Sequence, residues 1–160
     1  MQPEFLFETL NRLPGIHMAL ETSGCAEESV FCEAMDRFSL ILMDFKLADP
    51  ALHLKYTGRD NAEILGNLDR LCRGKTPFQV RIPLIPGITD TEQNLRAAAE
   101  LLQGAPALQC VELLPYNRLA GAKYEWLGQD YRPPFDPECP PAVREGIFRK
   151  YGIESRRRTR

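Results

Sequence analysis

The stretch Leu40-Ile41-Leu42-Met43-Asp44-Phe45-Lys46 decides the fold, because it is a short apolar run that ends in two opposite charges. Successive side chains on a β-strand point to opposite faces, so Asp44 and Lys46 share one face while Met43 and Phe45 take the other. A strand that is apolar on both faces is typical of a parallel α/β sheet covered by helices. Such folds place their functional groups at the carboxyl ends of strands, so this stretch predicts a site.

The composition is that of one ordinary globular domain. The chain has 160 residues, of which 44% are hydrophobic and 26% are charged, and this length allows a sizeable core. A net charge of −2 gives no general attraction to nucleic acid or to anionic membranes. No apolar run approaches the roughly 20 residues that span a bilayer, and the first residues do not resemble a signal peptide. We therefore expect a cytoplasmic location.

The cysteines and histidines predict no metal site. The five cysteines lie far apart, at positions 25, 32, 72, 110 and 139, and no two of them form a Cys-x-x-Cys pair. An odd and scattered set argues against a disulfide framework. Both histidines stand alone, so we expect the sequence to supply no metal or cluster ligands.

Strand and helix patterns alternate along the chain. The apolar runs predict strands over 16–21, 39–46, 78–85 and 108–114. Helical spacing and capping residues predict helices over 4–13 and 26–36, from Asp49, from Asp60, from Thr89 or Asp90, and over 141–151. We interpret residues 118–127 as a short helix or turn, 128–140 as a proline-rich loop and 155–160 as a basic tail.

This alternation predicts a single α/β domain over residues 1–154, with about four parallel strands and flanking helices. The crossovers are long enough for right-handed βαβ units. Four strands are too few to close an eight-stranded barrel, so the strands form either an open sheet or roughly half of a larger barrel.

Polar residues collect at the carboxyl ends of the four predicted strands, which meet at one edge of a parallel sheet. We call this edge the rim, and it is formed by Glu21 to Gly24, Asp44 with Lys46, Pro86 with Gly87, and Tyr116 with Asn117. Arg81 lies inside the third strand, where burying a lone charge is very costly. Its partner is either a carboxylate such as Glu21 or Asp44, or an anionic group on a ligand.

Each of these groups also has a purely structural interpretation. Asp44 and Lys46 would then be an ion pair within the sheet, and Arg81 a salt-bridge partner for Glu21. Residues 22–24 would be an ordinary helix-capping loop, and the terminal arginines would be a solvated tail. The convergence of the polar groups on one rim favours a ligand with both an anionic and a polar face.

Four segments around this rim resemble the motifs of a known family in their order and spacing. They are Ala19-Leu20-Glu21-Thr22-Ser23-Gly24, Met43-Asp44-Phe45-Lys46, Val80-Arg81-Ile82-Pro83-Leu84-Ile85-Pro86-Gly87 and Leu113-Leu114-Pro115-Tyr116-Asn117. Together they resemble the later part of the glycyl-radical-enzyme activating enzymes, the pyruvate formate-lyase activating enzyme family within the radical S-adenosylmethionine (SAM) superfamily. The resemblance covers essentially the whole chain and implies part of a (β/α)6 barrel.

The resemblance also implies a reaction, two cofactors and a partner. Enzymes of this family reduce SAM with a [4Fe-4S] cluster. The resulting 5′-deoxyadenosyl radical takes a hydrogen atom from a glycine of a partner such as pyruvate formate-lyase. The implied partner of this chain is therefore the glycine loop of a glycyl radical enzyme.

By the same resemblance, the rim residues hold SAM. Lys46 would contact the methionine carboxylate. Asp44 and Glu21, with the backbone of Thr22, would form a carboxylate cluster beside it that is able to hold a monovalent cation. Arg81 would lie near the methionyl group or order those carboxylates.

Two departures from the family pattern stand out. Asn117, which the resemblance places near the nucleoside, stands where members often carry histidine; an amide can still hydrogen-bond a ribose hydroxyl but cannot carry charge. The cluster motif Cys-x3-Cys-x2-Cys and the Gly-Gly-Glu-Pro strand end, which meets the SAM amino group, are both absent. We therefore expect this chain to be the carboxyl-terminal part of an activating enzyme, inactive in isolation and without cluster ligands.

Two other functions remain open from the sequence. A Schiff-base lyase of the aldolase type would use Lys46 as its amine, with a carboxylate beside it. A non-catalytic domain would only dock a partner's glycine loop.

The first predicted strand has an exposed edge, because the strand that bears Gly-Gly-Glu-Pro in relatives is absent. We therefore expect self-association through this exposed edge or through the barrel interior.

Overall fold

The computed structural model of the chain describes residues 2–116, 124 and 126–158. The helices are α1 (Pro3–Asn11), α2 (Glu28–Arg37), α3 (Pro50–Thr57), α4 (Ala62–Arg73), α5 (Glu92–Leu102) and α6 (Glu145–Lys150). The strands are β1 (Ala19–Thr22), β2 (Leu40–Asp44), β3 (Phe78–Leu84), β4 (Leu108–Pro115) and β5 (Ser155–Arg157). Within these residues, none of the helices has the length and apolar character that crossing a bilayer requires.

The five strands form one parallel sheet in the order β1-β2-β3-β4-β5. Doubly wound sheets reverse their strand order, whereas a sequential order with right-handed crossovers returns every helix to the same side of the sheet. The second arrangement is the winding of a (β/α) barrel. The predicted α/β fold is therefore confirmed, and its winding is that of a partial barrel.

The helices cover one face of the sheet. The side chains of β2, β3 and β4 on this face are fully buried: Ile41, Met43, Phe78, Val80, Ile82, Leu84, Val111 and Leu113. They pack with apolar side chains of the helices, including Phe31, Leu68, Leu95 and Phe148. This packing is the core of the domain.

The opposite face of the sheet, which we call the open face, carries Glu21, Leu42, Asp44, Arg81 and Glu112 in its centre. Leu42 and Asp44 on this face are only half-buried, while their neighbours on β2 are fully buried. Helix cover was predicted for β2, and the structure provides it on one face only. In a barrel the second face turns to the interior, which explains why this strand is apolar on both sides.

The turn between β3 and α5 departs from the prediction. The residue that caps α5 is Thr91, and not Thr89 or Asp90. Thr89 Oγ1 instead accepts a hydrogen bond from the Ile85 N–H at 2.7 Å. One oxygen of Asp90 accepts from the Gly87 N–H at 2.7 Å, and the other accepts from the N–H of residue 142, also at 2.7 Å. Both side chains stabilise the turn that follows β3 at the rim.

Two other predicted features of the helices and loops agree with the structure. Asp49 caps α3, because its carboxylate accepts from the Leu52 N–H at 2.8 Å. Residues 128–140 form neither helix nor strand. Of the predicted helix or turn over 118–127, residues 118–123 and 125 lie outside the described residues.

The predicted basic tail contributes a strand, so the described sheet has five strands and not about four. Ser155 lies opposite Val111 and Arg156 lies opposite Glu112 in parallel register. A three-residue strand without apolar alternation gives no period-two signal. The ion pair between Arg156 and Glu112, at 2.7 Å, helps to hold it in place.

Gly24 offers a test of the packing between the β1–α2 loop and the sheet. Its φ is +75°, and a Cβ at this position would overlap Cε of the fully buried Met43. Gly58, the C-cap of α3, has φ +77° but nothing within 4 Å of an added Cβ. Gly58→Ala should therefore cost about 1 kcal/mol through backbone strain alone. Gly24→Ala should cost about 1–3 kcal/mol more through overpacking.

Chemical denaturation of the two variants measures this difference in the free energy of unfolding. Equal losses for Gly24→Ala and Gly58→Ala would show that Met43 moves aside without cost.

Candidate functional site

The strand register brings three of the predicted site residues, Glu21, Asp44 and Arg81, onto the open face. Glu21 lies opposite Leu42, Asp44 lies opposite Arg81, and Arg81 lies opposite Glu112. Residues in register on parallel strands point to the same face. Asp44, Arg81, Glu112 and Arg156 of β5 are therefore in register across the sheet, and Glu21 lies on the same face, opposite the residue two positions before Asp44. We call these five residues the charged row.

Arg81 is the centre of the charged row. Its side chain is only 11% exposed, and Nη1 lies 2.6 Å from Glu21 Oε2. Nε is buried without a hydrogen-bond partner among the described residues, and lies 3.6 Å from Glu112 Oε2. The ion pair with Glu21 is the contact that the structural interpretation of Arg81 predicts. One donor of Arg81 nevertheless remains available.

Asp44 and Lys46 do not form an ion pair. Within the described chain, neither has an oppositely charged atom inside the 4.0 Å that defines a salt bridge. Burial raises the pKa of Asp44, and the neighbouring charges of Lys46 and Arg81 offset this effect only in part. The backbone carbonyl of Lys46 accepts a hydrogen bond from Asn94 Nδ2 at 2.9 Å, which fixes the chain just beyond β2. The half-buried Lys46 side chain is therefore a cation at the rim without an anionic partner in this structure.

Thr22 ends β1 and shapes the loop that follows. Its Oγ1 accepts a hydrogen bond from the Gly24 N–H at 3.0 Å. Asn67 of α4 donates from Nδ2 to the carbonyls of Gly24 and Ala26, at 2.8 Å each. Helix α2 begins at Glu28 without a side-chain cap, so the loop does not serve as a helix cap. These bonds fix the conformation of the loop that follows Thr22.

Our sequence reasoning missed Glu112 and Arg156. The side chain of Glu112 is 10% exposed, and its Oε1 accepts from Arg156 Nη2 at 2.7 Å and from Arg156 Nε at 3.1 Å. A signal was present, because Glu112 interrupts an apolar strand and a buried carboxylate needs a cation. Arg156 had no such signal, since only the fold brings β5 beside β4.

Asn117 lies outside the described residues, so the structure says nothing of its position. In the part of the chain that is described, no group of three or more His, Cys, Asp or Glu side chains is placed to hold a metal ion. The site that the described residues form is therefore an arrangement of charges of both signs, in which Glu21 and Arg81 are paired and Asp44 and Lys46 are not. Such an arrangement suits a small ligand that carries both signs of charge.

Comparison with curated proteins supports the family resemblance. The choline trimethylamine-lyase activating enzyme of Oleidesulfovibrio alaskensis is 35% identical in an alignment 159 positions long, which covers 94% of this chain and 51% of that protein. The pyruvate formate-lyase-activating enzyme of Staphylococcus epidermidis is 33% identical in an alignment 152 positions long, which covers 88% of this chain and 60% of that protein. The chain thus spans between half and three fifths of the length of these relatives. No protein-family model matches it.

Solved structures agree with this result. A domain of pyruvate-formate lyase-activating enzyme from Bacteroides vulgatus superposes with a TM-score of 0.78 and 28% identity, covering 99% of this chain and 92% of that one. A radical SAM methyltransferase from Sphaerobacter thermophilus superposes with a TM-score of 0.58 and 21% identity over 88% of this chain and 39% of that one. The second match shows a shared fold alone. Over most of its length, the chain is homologous to glycyl-radical-enzyme activating enzymes.

Asp44 predicts a specific pH dependence of stability. Burial raises its pKa in the folded chain above the ordinary value of 3.8. The neutral acid is thus preferred on folding, and this contribution is complete below the unfolded pKa and lost as pH rises through the folded pKa. Asp44→Asn stays neutral, so it should raise the melting temperature at pH 7. Solvent screening limits the gain to about 1 kcal/mol, and it should vanish toward pH 3.

Melting temperatures of both proteins between pH 3 and pH 7 provide the check. Glu8→Gln, an exposed position of α1, is the control and should show no comparable gain. A melting temperature that falls at pH 7 in Asp44→Asn would mean that attraction to Lys46 and Arg81 outweighs burial.

Proposed function

We propose that this chain is the carboxyl-terminal part of a radical SAM activating enzyme and supplies the half of the SAM site that binds the methionine end. One observation carries the proposal: among the described residues, Asp44 and Lys46 have no oppositely charged atom within 4.0 Å, and the buried Nε of the neighbouring Arg81 has no hydrogen-bond partner. Partly buried charges and donors without partners lower the stability of a sheet. Proteins retain such groups mainly at functional sites, where a ligand can pair with them. The homology to activating enzymes supports the choice of ligand.

The described residues fit the amino-acid end of SAM, which carries a carboxylate and an amino group. In the proposed site, Lys46 binds the methionine carboxylate by a charge-assisted hydrogen bond. Asp44 and Glu21, with the backbone of Thr22, form the carboxylate cluster beside it, and Arg81 holds these carboxylates in position. Asn117 is proposed to contact the nucleoside.

The chemistry itself is proposed to come from SAM and a [4Fe-4S] cluster, which together supply hydrogen-atom abstraction when bound. The residues of this chain bind and orient the methionine end and exclude water from it. The partner of the whole enzyme is proposed to be a glycyl radical enzyme. The names of the relatives, which specify choline trimethylamine-lyase and pyruvate formate-lyase, support this class of partner.

Titration with L-methionine tests the proposed ligand without the rest of the enzyme. Amide resonances of residues 44–46 and 81 should shift in ¹H–¹⁵N spectra, with an affinity in the range of about 1 mM, as suits a few polar contacts. Methioninol, which lacks the carboxylate, should bind at least about tenfold more weakly, because a lost charge-assisted hydrogen bond costs about 1.5–3 kcal/mol. Lys46→Met should abolish the difference between the two ligands.

Lys55→Met, on α3, is the matched control and should preserve the preference for methionine. The proposal fails if methionine and methioninol bind equally to the unmodified chain, or if the shifts lie away from the open face. A borohydride-trapped carbonyl adduct on Lys46 would instead favour the Schiff-base lyase.

The edge of the sheet predicts how the isolated chain behaves in solution. Strand β1 pairs only with β2 in the described sheet, so one side of its backbone has no strand neighbour. Unpaired strand edges promote association, and we propose that two copies pair through β1. Ala19→Lys, an exposed position of β1, should weaken dimerisation at least about tenfold, since edge lysines oppose pairing.

Sedimentation velocity over a range of concentrations measures the dimerisation constant. Ala51→Lys on α3 introduces the same charge at another exposed position and should leave the constant unchanged. A chain that stays monomeric at all concentrations rules out the β1 interface.

A further inference from the structure

Arg81 lies between two carboxylates and makes a close ion pair with only one of them. Its Nη1 lies 2.6 Å from Glu21 Oε2, whereas its buried Nε lies 3.6 Å from Glu112 Oε2 and has no hydrogen-bond partner in the described part of the chain. The two carboxylates differ in environment, because the Glu21 side chain is 60% exposed and the Glu112 side chain is 10% exposed. The side chain of Glu21 therefore has room to rotate toward solvent, whereas the side chain of Glu112 is confined by its surroundings.

The two oxygens of Glu112 are used unequally. Oε1 accepts two hydrogen bonds from Arg156, at 2.7 Å and 3.1 Å. Among the described residues, the charged groups near Oε2 lie farther away, at 3.6 Å for Arg81 Nε and 3.9 Å for Arg158 Nη1. A vacant acceptor therefore faces a vacant donor across a gap that is about 0.6 Å longer than an ordinary N–H···O hydrogen bond.

We propose that Glu112 is a positioning residue that takes over Arg81 when Glu21 turns toward a ligand. This inference rests on the proposed function, in which Glu21 belongs to the carboxylate cluster beside the methionine end. If Glu21 left Arg81 without a substitute, the guanidinium would be a buried charge without a partner, which is strongly unfavourable. Glu112 is anchored to β5 by Arg156, so it can accept the Nε–H while holding the guanidinium in place.

The proposal can be tested first without any ligand. Glu21→Gln removes the first partner, so Arg81 should then donate its Nε–H to Glu112. In ¹⁵N-labelled protein, exchange of the Arg81 Hε with water should slow about tenfold relative to the unmodified chain, as expected for one charge-assisted hydrogen bond. Arg81→Lys identifies the resonance by its disappearance. The double variant Glu21→Gln with Glu112→Gln should restore fast exchange.

Arg157→Met is the control, because strand alternation places this neighbour of Arg156 on the other face. It should leave the Arg81 Hε signal unchanged. An Hε that exchanges as fast in Glu21→Gln as in the unmodified chain would overturn the proposal, and would leave Glu112 as an anchor for β5 alone. This outcome does not depend on whether Glu112→Gln folds, because it compares only Glu21→Gln with the unmodified chain.

The second arm uses L-methionine as the probe. Glu112→Gln should lower the affinity for methionine about tenfold, as is typical for residues that hold a binding group in position. Glu154→Gln, an exposed neighbour of β5, should leave the affinity unchanged. Equal affinity in Glu112→Gln and the unmodified chain would count against a positioning role.

The two arms separate the two proposals. If Hε exchange slows in Glu21→Gln but methionine does not bind, the transfer of Arg81 to Glu112 stands and the proposed ligand is wrong. If methionine binds and the exchange rate does not change, the proposed function stands and Glu112 has no part in it.

Discussion

A guanidinium buried on the face of a β-sheet must have opposite charges around it, and this requirement for Arg81 organises the open face. Its direct ion-pair partner, Glu21, is on β1, and its register neighbours, Asp44 and Glu112, are on β2 and β4. Glu112 in turn holds Arg156 of β5. Charges on all five strands are therefore linked through one side chain on the central strand. Such a network can favour one register, because a strand displaced by one residue would turn its charged side chain into the apolar core.

The short apolar runs of β2, β3 and β4 made the fold predictable, since such runs, alternating with helical patterns, are a strong signal of buried parallel strands. The start of α5 was harder to predict, because Thr89, Asp90 and Thr91 are all plausible caps and only the hydrogen bonds that the first two make within the preceding turn distinguish them. Strand β5 was not predictable from local sequence. It consists of polar residues and depends on β4 for its backbone and ionic partners.

The candidate site was predictable where charge interrupted apolar sequence, as at Asp44 and Arg81. What the sequence left open was which charges satisfy one another. The structure pairs Arg81 with Glu21 and leaves Asp44 and Lys46 without ionic partners among the described residues. A carboxylate that burial disfavours is a local cost to stability. Natural proteins retain such costs mainly at functional sites, and the homology to activating enzymes is consistent with that interpretation.

The sequential strand order has a consequence for how the domain assembles. Each described pairing joins strands that are neighbours in the sheet order as well as in the chain, so no pairing has to close more than one crossover. Loop-closure entropy is then small at every step, and the sheet can grow by the addition of one unit at a time. A barrel wound in this way can be divided between strand–helix units, because any set of consecutive units keeps all the strand pairings within it. Such a run can evolve or be exchanged as a module, provided that another surface covers its two edges.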